Sequence, residues 1–559
     1  MKQQTQVFLT LLAFFFLHSF SYSQETAHAL KSNRGNIVPE NYDRISLSWM
    51  MAYSIYDPFL NDLKSSFAQI DHGNKFFKNE IDNEFIEIRE KREQGSSLNK
   101  ESVTSGLQQQ NISGKIISHW YNRQNDGKMN MDRVHERGLM NATDADVLKQ
   151  ELTKRGLRES MDYGNRLISK SYVVVLDFIE AERTTNDHGG GYSVKVLAHV
   201  FKLNFTEEEK QMIYDSWIMD GDSEEEVKRK NDLFATISPQ LKHIRKIEYF
   251  SESSSNTSYK KLSKQEHFNE IAQQAADGTI FRIERNMDEF KVITSLYSAK
   301  PPAAKIGKKE GLKVDDRYFV YEHKYKPRTN TIKEVRRGVI RADAGIANNV
   351  SIATGESETS KFYQISGQKL REGYVIQQRN DWGFGLTIGQ NTGGEMAGFN
   401  IGGDYSVGRY VEVPSFYLTA NVAFEGKEGY GSEIQVLDAS GFEKVSFFRF
   451  DVGIMKGYHF MRNFELNPYL AYGQESASIP DKDDEKSVYT HLIKTGAYLS
   501  LNITYFWEFI GGVNFNMPFG NAYEKDGDSD AVELEGEKYT DYFPGRRGMS
   551  LYYGIRIRF

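Results

Sequence analysis

Strict alternation of apolar and polar side chains in the last third of the chain is the feature that most restricts its fold. The final segment, residues 549–559, reads MSLYYGIRIRF. One set of alternate positions is apolar and comprises Met549, Leu551, Tyr553, Ile555, Ile557 and Phe559. The other set carries Arg556 and Arg558. Because successive side chains of a β-strand point to opposite faces, this segment predicts a strand with one lipid-facing side and one charged side.

The same alternation recurs seven more times from about residue 381 onward. The segments are 384–389, 399–407, 416–424, 448–454, 464–470, 493–503 and 507–516. Eight is an even number, as expected of a closed antiparallel barrel in a bacterial outer membrane. Beyond the N-terminus, no apolar run is long enough to span a bilayer as a helix, and only helices and closed barrels satisfy the backbone in lipid. Residues 380–559 therefore predict an eight-stranded antiparallel transmembrane β-barrel.

The connections between these segments differ in length in a regular way. Short connections at 408–415, 456–463 and 505–506 alternate with long polar ones that include 425–445, 473–489 and 518–548. Outer-membrane barrels have short periplasmic turns and long outer loops, so we expect the region before the barrel to lie in the periplasm. A soluble β-sandwich or lipocalin-like barrel would show the same alternation with its apolar face turned inward. Alternation by itself does not distinguish these two interpretations.

Residues 549–559 resemble the C-terminal strand of bacterial outer-membrane β-barrel proteins, which ends in an aromatic residue. The resemblance implies an outer-membrane location in contact with lipid. It also implies that the barrel-assembly machinery is a partner, with Phe559 as the assembly signal. It covers the barrel region and implies nothing about activity.

Alternation places a set of charged side chains inside the predicted barrel. They are Asp404, Arg449, Asp451, Glu465, Lys494, Glu508, Arg556 and Arg558. Side chains fill the interior of an eight-stranded barrel, and buried charges persist when they are paired. We therefore expect a paired polar plug, and the alternative is an ion path along these charges.

The N-terminus predicts export from the cytoplasm. Lys2 precedes an apolar run at residues 7–17, and Ser21 and Ser23 supply small side chains before Gln24. This is the pattern of a cleaved secretory signal peptide, to which we assign residues 1–23. Residues 24–288 then form a predicted periplasmic α+β region.

Helix and strand patterns alternate along that region. Apolar residues at 79–91 have helical spacing, a polar linker is predicted at 93–111, and a capping pattern at 143–146 indicates a helix N-terminus. Strands are predicted at 172–178 and 192–205, and charged helices at 207–217 and 224–246. This order predicts a compact α+β layer.

Residues 289–379 predict a small β-rich module, with short strands at 290–296, 318–321, 338–341 and 362–365. Residues 305–321 resemble the small β module of flagellar assembly protein T through Gly307, Gly311, Leu312 and Val314. Asp315 occupies a position where that module has glycine. The resemblance implies a binding or assembly module and no chemistry.

The sequence shows no motif of an enzyme or cofactor site. It has no cysteine, which excludes disulfides, thiolate metal sites and thiol catalysis. Metalloprotease, phosphate-loop and serine-elbow motifs are missing, and we interpret His188 beside three glycines as part of a hairpin loop. We therefore predict no catalytic residue, no cofactor and no metal. A net charge of −7 argues against nucleic acid as a partner.

One acidic segment leaves two interpretations open. Asp526, Asp528, Asp530 and Glu537 have the spacing of a calcium-binding loop, but Ala531 stands where that loop needs glycine. The segment is either such a site or a solvated acidic loop.

We expect a non-enzymatic outer-membrane protein whose barrel anchors a periplasmic binding or scaffold region. Its envelope partner is not identified by the sequence. The alternatives are a narrow channel or small-ligand transport barrel, a surface adhesin that acts through the outer loops, and an envelope hydrolase whose catalytic groups meet only in the folded chain.

Overall fold

The computed structural model describes residues 44–71, 75–81, 84–89, 96–139, 164–186, 189–254, 261–326, 328, 331–348, 358–392, 397–428, 444–480, 485–526, 532–534 and 536–559. Residues 40–322 and 336–559 form one compact unit, and the hairpin tip His323–Val335 is grouped apart from it. The predicted signal peptide, the helix N-terminus at 143–146, His188, Asp528 and Asp530 lie outside the described residues.

A five-stranded mixed sheet forms the centre of the N-terminal region. Its strands are β1 Ser46–Ser54, β2 Glu84–Ile88, β3 Ser171–Asn186, β4 Gly189–Asn204 and β5 Gln240–Ser254. The order is β2-β1-β3-β4-β5; β1 is parallel to β2 and β3, and the remaining pairs are antiparallel. β1 and the start of β3 are buried on both faces, which explains their nearly continuous apolar sequences.

Helices cover both faces of this sheet. They are α1 Leu60–Phe67, α2 Lys100–Gln109, α3 Ile112–Trp120, α4 Asp132–Leu139, α5 Glu207–Asp215, α6 Glu224–Thr236 and α7 Lys264–Asn286. On one face, α7 packs Phe268, Ile271 and Ala275 into a core shared with β3 and β4. On the other face, Val103 of α2 and Ile116 of α3 belong to a second core. The sheet therefore separates two apolar cores.

Three local predictions for this region are wrong. Residues 79–91 contain strand β2, because Ile86 and Ile88 are buried at two-residue spacing and β2 pairs in parallel with β1. The predicted linker 93–111 contains helix α2. The predicted helix 224–246 ends at Thr236, and β5 begins at Gln240. The strands predicted at 172–178 and 192–205 and the helix predicted at 207–217 are confirmed.

A seven-stranded sheet follows, and we call it the β module. Its strands are β6 Ile293–Ser295, β7 Ser298–Ala299, β8 Pro302–Ala304, β9 Arg317–Lys326, β10 Thr331–Ala342, β11 Ser360–Gly367 and β12 Val375–Gln378, and a 3-10 turn spans Lys308–Glu310. The order is β6-β12-β9-β10-β11-β8-β7. Its core contains Tyr318, Val320, Ile340 and Phe362. These residues come from the strands predicted at 318–321, 338–341 and 362–365, which are confirmed.

The C-terminal region is a closed antiparallel barrel of eight strands. They are β13 Phe384–Thr392, β14 Gly398–Ser406, β15 Phe416–Glu428, β16 Lys444–Lys456, β18 Phe464–Pro480, β19 Glu485–Asn502, β20 Trp507–Asp526 and β22 Gly548–Arg558. The seam closes where β13 pairs with β22 in the register Gly385↔Arg558. Short elements α8 Gly408–Val411, β17 Tyr458–Met461, β21 Val532–Leu534 and α9 Tyr539–Tyr542 lie in the connections. The predicted fold class, an α+β region followed by an eight-stranded barrel, is confirmed.

We call the end of the barrel where β13 begins and β22 ends the proximal end, and the opposite end the distal end. Near the proximal end, the outer surface is apolar. Exposed side chains there include Leu418, Val452, Ile454, Leu466, Leu470, Leu501, Phe509 and Ile555. An apolar exterior around a charged interior is the arrangement of a transmembrane barrel. Among the helices that the structure describes, none is long and apolar enough to cross a membrane.

Aromatic side chains border this apolar band on both sides. Exposed aromatic residues of the proximal border include Trp382, Tyr410, Tyr458, Phe460 and Trp507. On the distal border, Tyr472 stacks on His491 and its hydroxyl lies 2.9 Å from His491 Nδ1. Amphipathic aromatic rings are typical of the two membrane–water interfaces of a barrel. The two borders therefore delimit the membrane-spanning band.

The polarity of the strands reverses beyond the distal border. β18, β19 and β20 have 17, 18 and 20 residues, whereas about 9–11 residues span a membrane. In their distal parts the interior is apolar, with Phe447, Ala477 and Val488 buried, while Ser446 is exposed. The predicted loops 425–445, 473–489 and 518–548 are therefore partly wrong, because strand pairing continues into them.

A charge on the apolar band should destabilise the barrel in proportion to its depth. We expect Val452→Arg to lower the free energy of unfolding in lipid vesicles by about 2–4 kcal/mol, because Val452 faces outward between the two borders. Met461→Arg, at the proximal turn, is the matched control and should cost about 0–1 kcal/mol. Urea titration of vesicle-inserted protein measures both values. Equal costs for the two variants would contradict the assignment of the band.

His199 gives the N-terminal sheet a dependence on pH. The side chain is 1% exposed, both ring nitrogens are without a hydrogen-bond partner among the described residues, and burial, followed by the charges of His243 and Lys246, lowers its pKa to about 4. Since the unfolded chain takes up this proton first, its contribution to stability is present above about pH 6.5 and is lost as the pH falls towards about 4.

We therefore expect acid to weaken the protection of β4 amides in hydrogen exchange, and His199→Leu to remove most of that acid-induced loss. Exchange is measured at pH values above and below the ordinary histidine pKa and corrected for the intrinsic rate. A variant that loses protection on acidification as strongly as the wild type would exclude His199 as the cause.

Candidate functional site

The barrel interior near the proximal end holds a cluster of five buried charges, three carboxylates and two guanidinium groups. Arg556 Nε lies 3.2 Å from Asp404 Oδ2, and Arg556 Nη1 lies 3.3 Å from Glu508 Oε2. Arg558 pairs with the same two carboxylates, at 3.1 Å from Nη1 to Asp404 Oδ1 and through Nε to Glu508. Its Nη2 lies 3.9 Å from Glu465 Oε2. The last strand thus supplies the cations for carboxylates on three other strands.

A second ion pair and a layer of tyrosines lie on the distal side of this cluster. Lys494 Nζ is 3.0 Å from Asp451 Oδ2, and Asn421 donates to the other carboxylate oxygen at 2.8 Å. Tyr469 and Tyr498 stack with their ring centroids 4.6 Å apart. These rings are buried in the interior together with Tyr417 and Tyr552.

A third charged cluster lies further towards the distal end and is centred on Glu475. Arg449 Nη2 is 2.6 Å from Glu475 Oε2, and Arg546 Nε is 2.6 Å from Glu475 Oε1. The Tyr539 hydroxyl donates to Glu475 Oε1 at 3.2 Å. Arg449 and Glu475 come from neighbouring strands, whereas Arg546 and Tyr539 come from the connection between β20 and β22.

That connection closes the distal mouth of the barrel. Helix α9 and the 3-10 turn Pro544–Arg546, which we call the distal plug, fold into the interior. Tyr539 and Phe543 are buried, and Phe543 packs edge-on against Phe447 at 5.2 Å. The prediction of a long polar outer loop at 518–548 is wrong for this part, because Tyr539 and Phe543 are buried in the apolar distal interior.

A small cavity lies inside the barrel. It has a volume of about 20 Å³ and lies between the Arg556/Arg558 cluster and the tyrosine layer, with Asp404, Tyr469 and Arg556 in its wall. A space of this size holds about one water molecule. Paired charges and stacked tyrosines surround it.

The β module binds the proximal end of the barrel through Asp315. This residue has a φ of 66°, a left-handed conformation that favours glycine, and its carboxylate accepts hydrogen bonds from Ser415 N at 2.9 and 3.0 Å. The Tyr363 hydroxyl donates to the same carboxylate at 2.5 Å. A Cβ on Gly408 would lie 2.4 Å from Asp315 Oδ2, so the turn needs glycine there. Asp315 thus binds the barrel turn through its carboxylate.

Asp381, in the segment that joins the β module to the barrel, binds arginines from both. Arg341 of β10 pairs with Asp381 Oδ2, and Arg317 Nε of β9 lies 3.6 Å from the same oxygen. Arg409 Nη2, from α8, lies 3.0 Å from Asp381 Oδ1. Burial by itself raises the pKa of Asp381, but the charges of these three arginines outweigh it and hold the pKa well below its ordinary value.

Glu284 of α7 connects the N-terminal region to the same place. It pairs with Lys75, and it accepts hydrogen bonds from Asn380 Nδ2 at 2.6 Å and Gln378 Nε2 at 3.2 Å. Trp382 packs against Phe281 of α7 with ring centroids 5.5 Å apart. Buried polar bonds and ring contacts thus link the N-terminal region, the β module and the barrel.

The structure brings all of the predicted interior charges inside the barrel. They are Asp404, Arg449, Asp451, Glu465, Lys494, Glu508, Arg556 and Arg558, and each is buried. Sequence reasoning missed Glu475 and Arg546, as well as Asp315, Arg341 and Asp381 at the proximal mouth. Extending the alternation of 464–470 by five residues would have found Glu475. The loop and module residues carry no periodic pattern that would have indicated them.

Phe559 completes the barrel seam at the proximal end. Its backbone N–H donates to Phe384 O at 2.8 Å, and its ring lies 5.6 Å from Phe506 and 6.2 Å from Phe384. The terminal aromatic side chain is therefore a structural part of the closed barrel. Its role as an assembly signal stays a prediction.

Within the described ranges, no group of three or more His, Cys, Asp or Glu residues is arranged to hold a metal ion. The calcium interpretation of 526–537 falls largely outside those ranges and stays open.

Of the comparisons with known proteins, the one with solved structures found matches. No protein-family model matches the chain, and no curated protein sequence matches it. A major outer membrane protein from Thermus thermophilus aligns at 12% identity and a TM-score of 0.24, over 32% of this chain and 98% of that one. Neisserial surface protein A aligns at 10% identity and 0.22, over 32% and 100%.

CarO from Acinetobacter baumannii aligns at 12% identity and a TM-score of 0.17, over 32% of this chain and 98% of its own. At TM-scores below 0.5 these likenesses say nothing about function, and the barrel is defined by its own strand pairing. None of the comparisons supports the resemblance of residues 305–321 to flagellar assembly protein T.

Removal of the Asp381 charge should loosen the joint between the β module and the barrel. We expect Asp381→Asn to lower the free energy of unfolding by about 3–5 kcal/mol, because it leaves buried arginines without their carboxylate. Glu372→Gln, which removes an exposed carboxylate of the same module, is the control and should have almost no effect.

The two variants are compared by urea unfolding of detergent-solubilised protein from about pH 5 to about pH 8. Because the pKa of Asp381 is lowered in the folded chain, its contribution is present above the ordinary aspartate pKa of about 3.9 and is lost only below it. The cost of Asp381→Asn should therefore stay constant over this range. A cost that vanished towards the acidic limit would contradict the assigned charge state.

Proposed function

We propose that the protein is a non-enzymatic outer-membrane anchor that holds a binding or scaffold region rigidly in the periplasm. The observation that carries the proposal is a barrel whose interior holds paired charges and stacked tyrosines, with the β module bound at its proximal end and the distal plug folded into its distal end. A barrel of this kind would offer a fixed attachment point. We expect it to conduct no solute.

The contacts at the proximal mouth support the anchoring role. Arginines of the module and of the barrel share Asp381, and Asp315 binds the turn at Ser415. Buried ion pairs with several hydrogen bonds fix geometry more than they add stability. The N-terminal region is thereby held in one orientation relative to the membrane, as a scaffold for an envelope partner requires.

Connection lengths support the periplasmic placement of that region. The proximal connections between strands span residues 407–415, 457–463 and 503–506, and the distal ones span 393–397, 429–443, 481–484 and 527–547. The two longest connections, 429–443 and 527–547, are both distal, whereas 393–397 and 481–484 are as short as the proximal turns. Short turns face the periplasm in outer-membrane barrels. The N-terminal region and the β module lie on the side of the short turns.

Protease treatment of intact cells tests this placement. We expect the region before residue 380 to be protected in intact cells and digested once the outer membrane is permeabilised. Cuts in intact cells should be confined to the distal connections. Digestion of the N-terminal region on intact cells would invert the orientation and favour a surface receptor or adhesin.

Planar-bilayer recording tests the closed barrel. We expect purified protein inserted into a bilayer to give no steady single-channel steps, because ion pairs, stacked tyrosines and the distal plug fill the interior. A known open porin inserted under the same conditions is the positive control. Reproducible conductance steps would favour the channel alternative, provided that a mock preparation from cells without the gene shows none.

A further inference from the structure

An open cleft of about 470 Å³ lies in the N-terminal region and takes no part in the contacts with the barrel. The end of α3, the start of α4, the turn before β2 and the end of α6 form its walls. Its volume falls in the range of small-molecule sites, which is about 300–1,000 Å³. The cleft is lined mainly by polar side chains, so an apolar ligand would find little contact there.

Cations predominate in the lining of the cleft. Lys115, Arg123 and Arg133 belong to this lining together with one carboxylate, Glu80. Glu80 lies 3.6 Å from Arg133 Nη1, and Lys115 is paired at 2.7 Å with Glu84, which is outside the lining. Arg123 donates to Asn231 Oδ1 at 2.7 Å and lies 4.2 Å from the Phe234 ring centroid, and Arg133 Nη1 donates to His119 O at 3.1 Å. These contacts hold both guanidinium groups in place. Fixed guanidinium groups favour carboxylate and phosphate ligands, which they bind through paired hydrogen bonds.

A buried donor in the wall of the cleft is unused. Asn79 is fully buried, and its Oδ1 accepts a hydrogen bond from Trp120 Nε1 at 2.9 Å. Among the described residues, Asn79 Nδ2 has no acceptor, and neither has the buried Arg123 Nε. Buried N–H groups without partners are rare in folded proteins because they lose their bonds to water. An acceptor atom of a ligand would satisfy them.

Amide and hydroxyl groups form the remainder of the polar lining. Asn111, Ser118, Asn122 and Gln124 belong to this set. Each can donate and accept hydrogen bonds, which is what the hydroxyl groups of a sugar require. We propose that the cleft binds a sugar-sized oxyanion, in which a carboxylate or phosphate is carried beside hydroxyl groups. This deepens the proposed function, since it names the class of ligand that the anchored region binds.

Isothermal titration calorimetry of the full chain in detergent tests the proposal. The probes are D-glucuronate for the carboxylate, D-glucose 6-phosphate for the phosphate, and D-glucose as the uncharged match. We expect at least one anion to bind about tenfold or more tightly than glucose, because hydrogen bonds to charged groups are the stronger ones. Which anion binds more tightly identifies the source of the oxyanion.

Variants assign the binding to the cleft. Arg133→Gln should weaken the anion about tenfold or more and leave the weak glucose signal unchanged. Arg229→Gln, which removes an exposed cation of α6 outside the cleft, is the matched control and should bind as the wild type does. Lys115→Gln, at a half-exposed position, provides a second cleft variant if Arg133→Gln fails to fold.

Absence of heat with both anions at millimolar concentration would overturn the proposal. Equal affinity for glucose and the anions would also overturn it, as would a variant pair in which both cleft substitutions leave the affinity unchanged. The titration uses solubilised protein and does not depend on membrane orientation. Its failure is thus distinguishable from a failure of the periplasmic anchor, which the protease experiment detects.

Discussion

Pairing of buried charges is the constraint on which the rest of this structure depends. A barrel that shows apolar side chains to lipid must turn its polar side chains inward, and eight strands leave no room for bulk water to solvate them. Each interior carboxylate therefore needs a cation within contact distance. Arg556 and Arg558 meet this need near the proximal end, Lys494 meets it for Asp451, and Arg546 meets it at the distal end. The same requirement extends to the proximal mouth, where Asp381 joins module to barrel.

The barrel could be predicted from the sequence because its physics is local. Lipid on the outer face requires an apolar side chain at every second position of each strand. This alternation identifies the strands and predicts that residues such as Asp404 and Lys494 point inward, without knowledge of their neighbours in space. The predicted distal ends of the strands were wrong, because there the surroundings of the barrel change from lipid to water. Beyond Tyr472 the outer face of the strand is exposed to water, and its apolar side chains point into the barrel. Because this pattern is the reverse of the lipid-facing one, the distal parts of the strands were predicted to be loops.

The N-terminal region was harder to predict for a different reason. β2 is a short strand whose partner β1 lies some thirty residues earlier in the chain, and only this pairing makes Ile86 and Ile88 part of a sheet. Asp315 illustrates the same limit at the scale of one residue. Its position in the sequence was known, but its positive φ and its bond to Ser415 involve a turn a hundred residues later. Non-local contacts of this kind leave no periodic trace.

The position of Arg546, Arg556 and Arg558 in the chain has a consequence for how the barrel is made. All three belong to the last fourteen residues, and their carboxylate partners Asp404, Glu475 and Glu508 belong to strands completed earlier. Without these last fourteen residues, the interior would keep its carboxylates and lose the three guanidinium groups that pair with them. Unpaired charges away from water are costly, so closure of the seam by β22 and neutralisation of the interior depend on the same short segment.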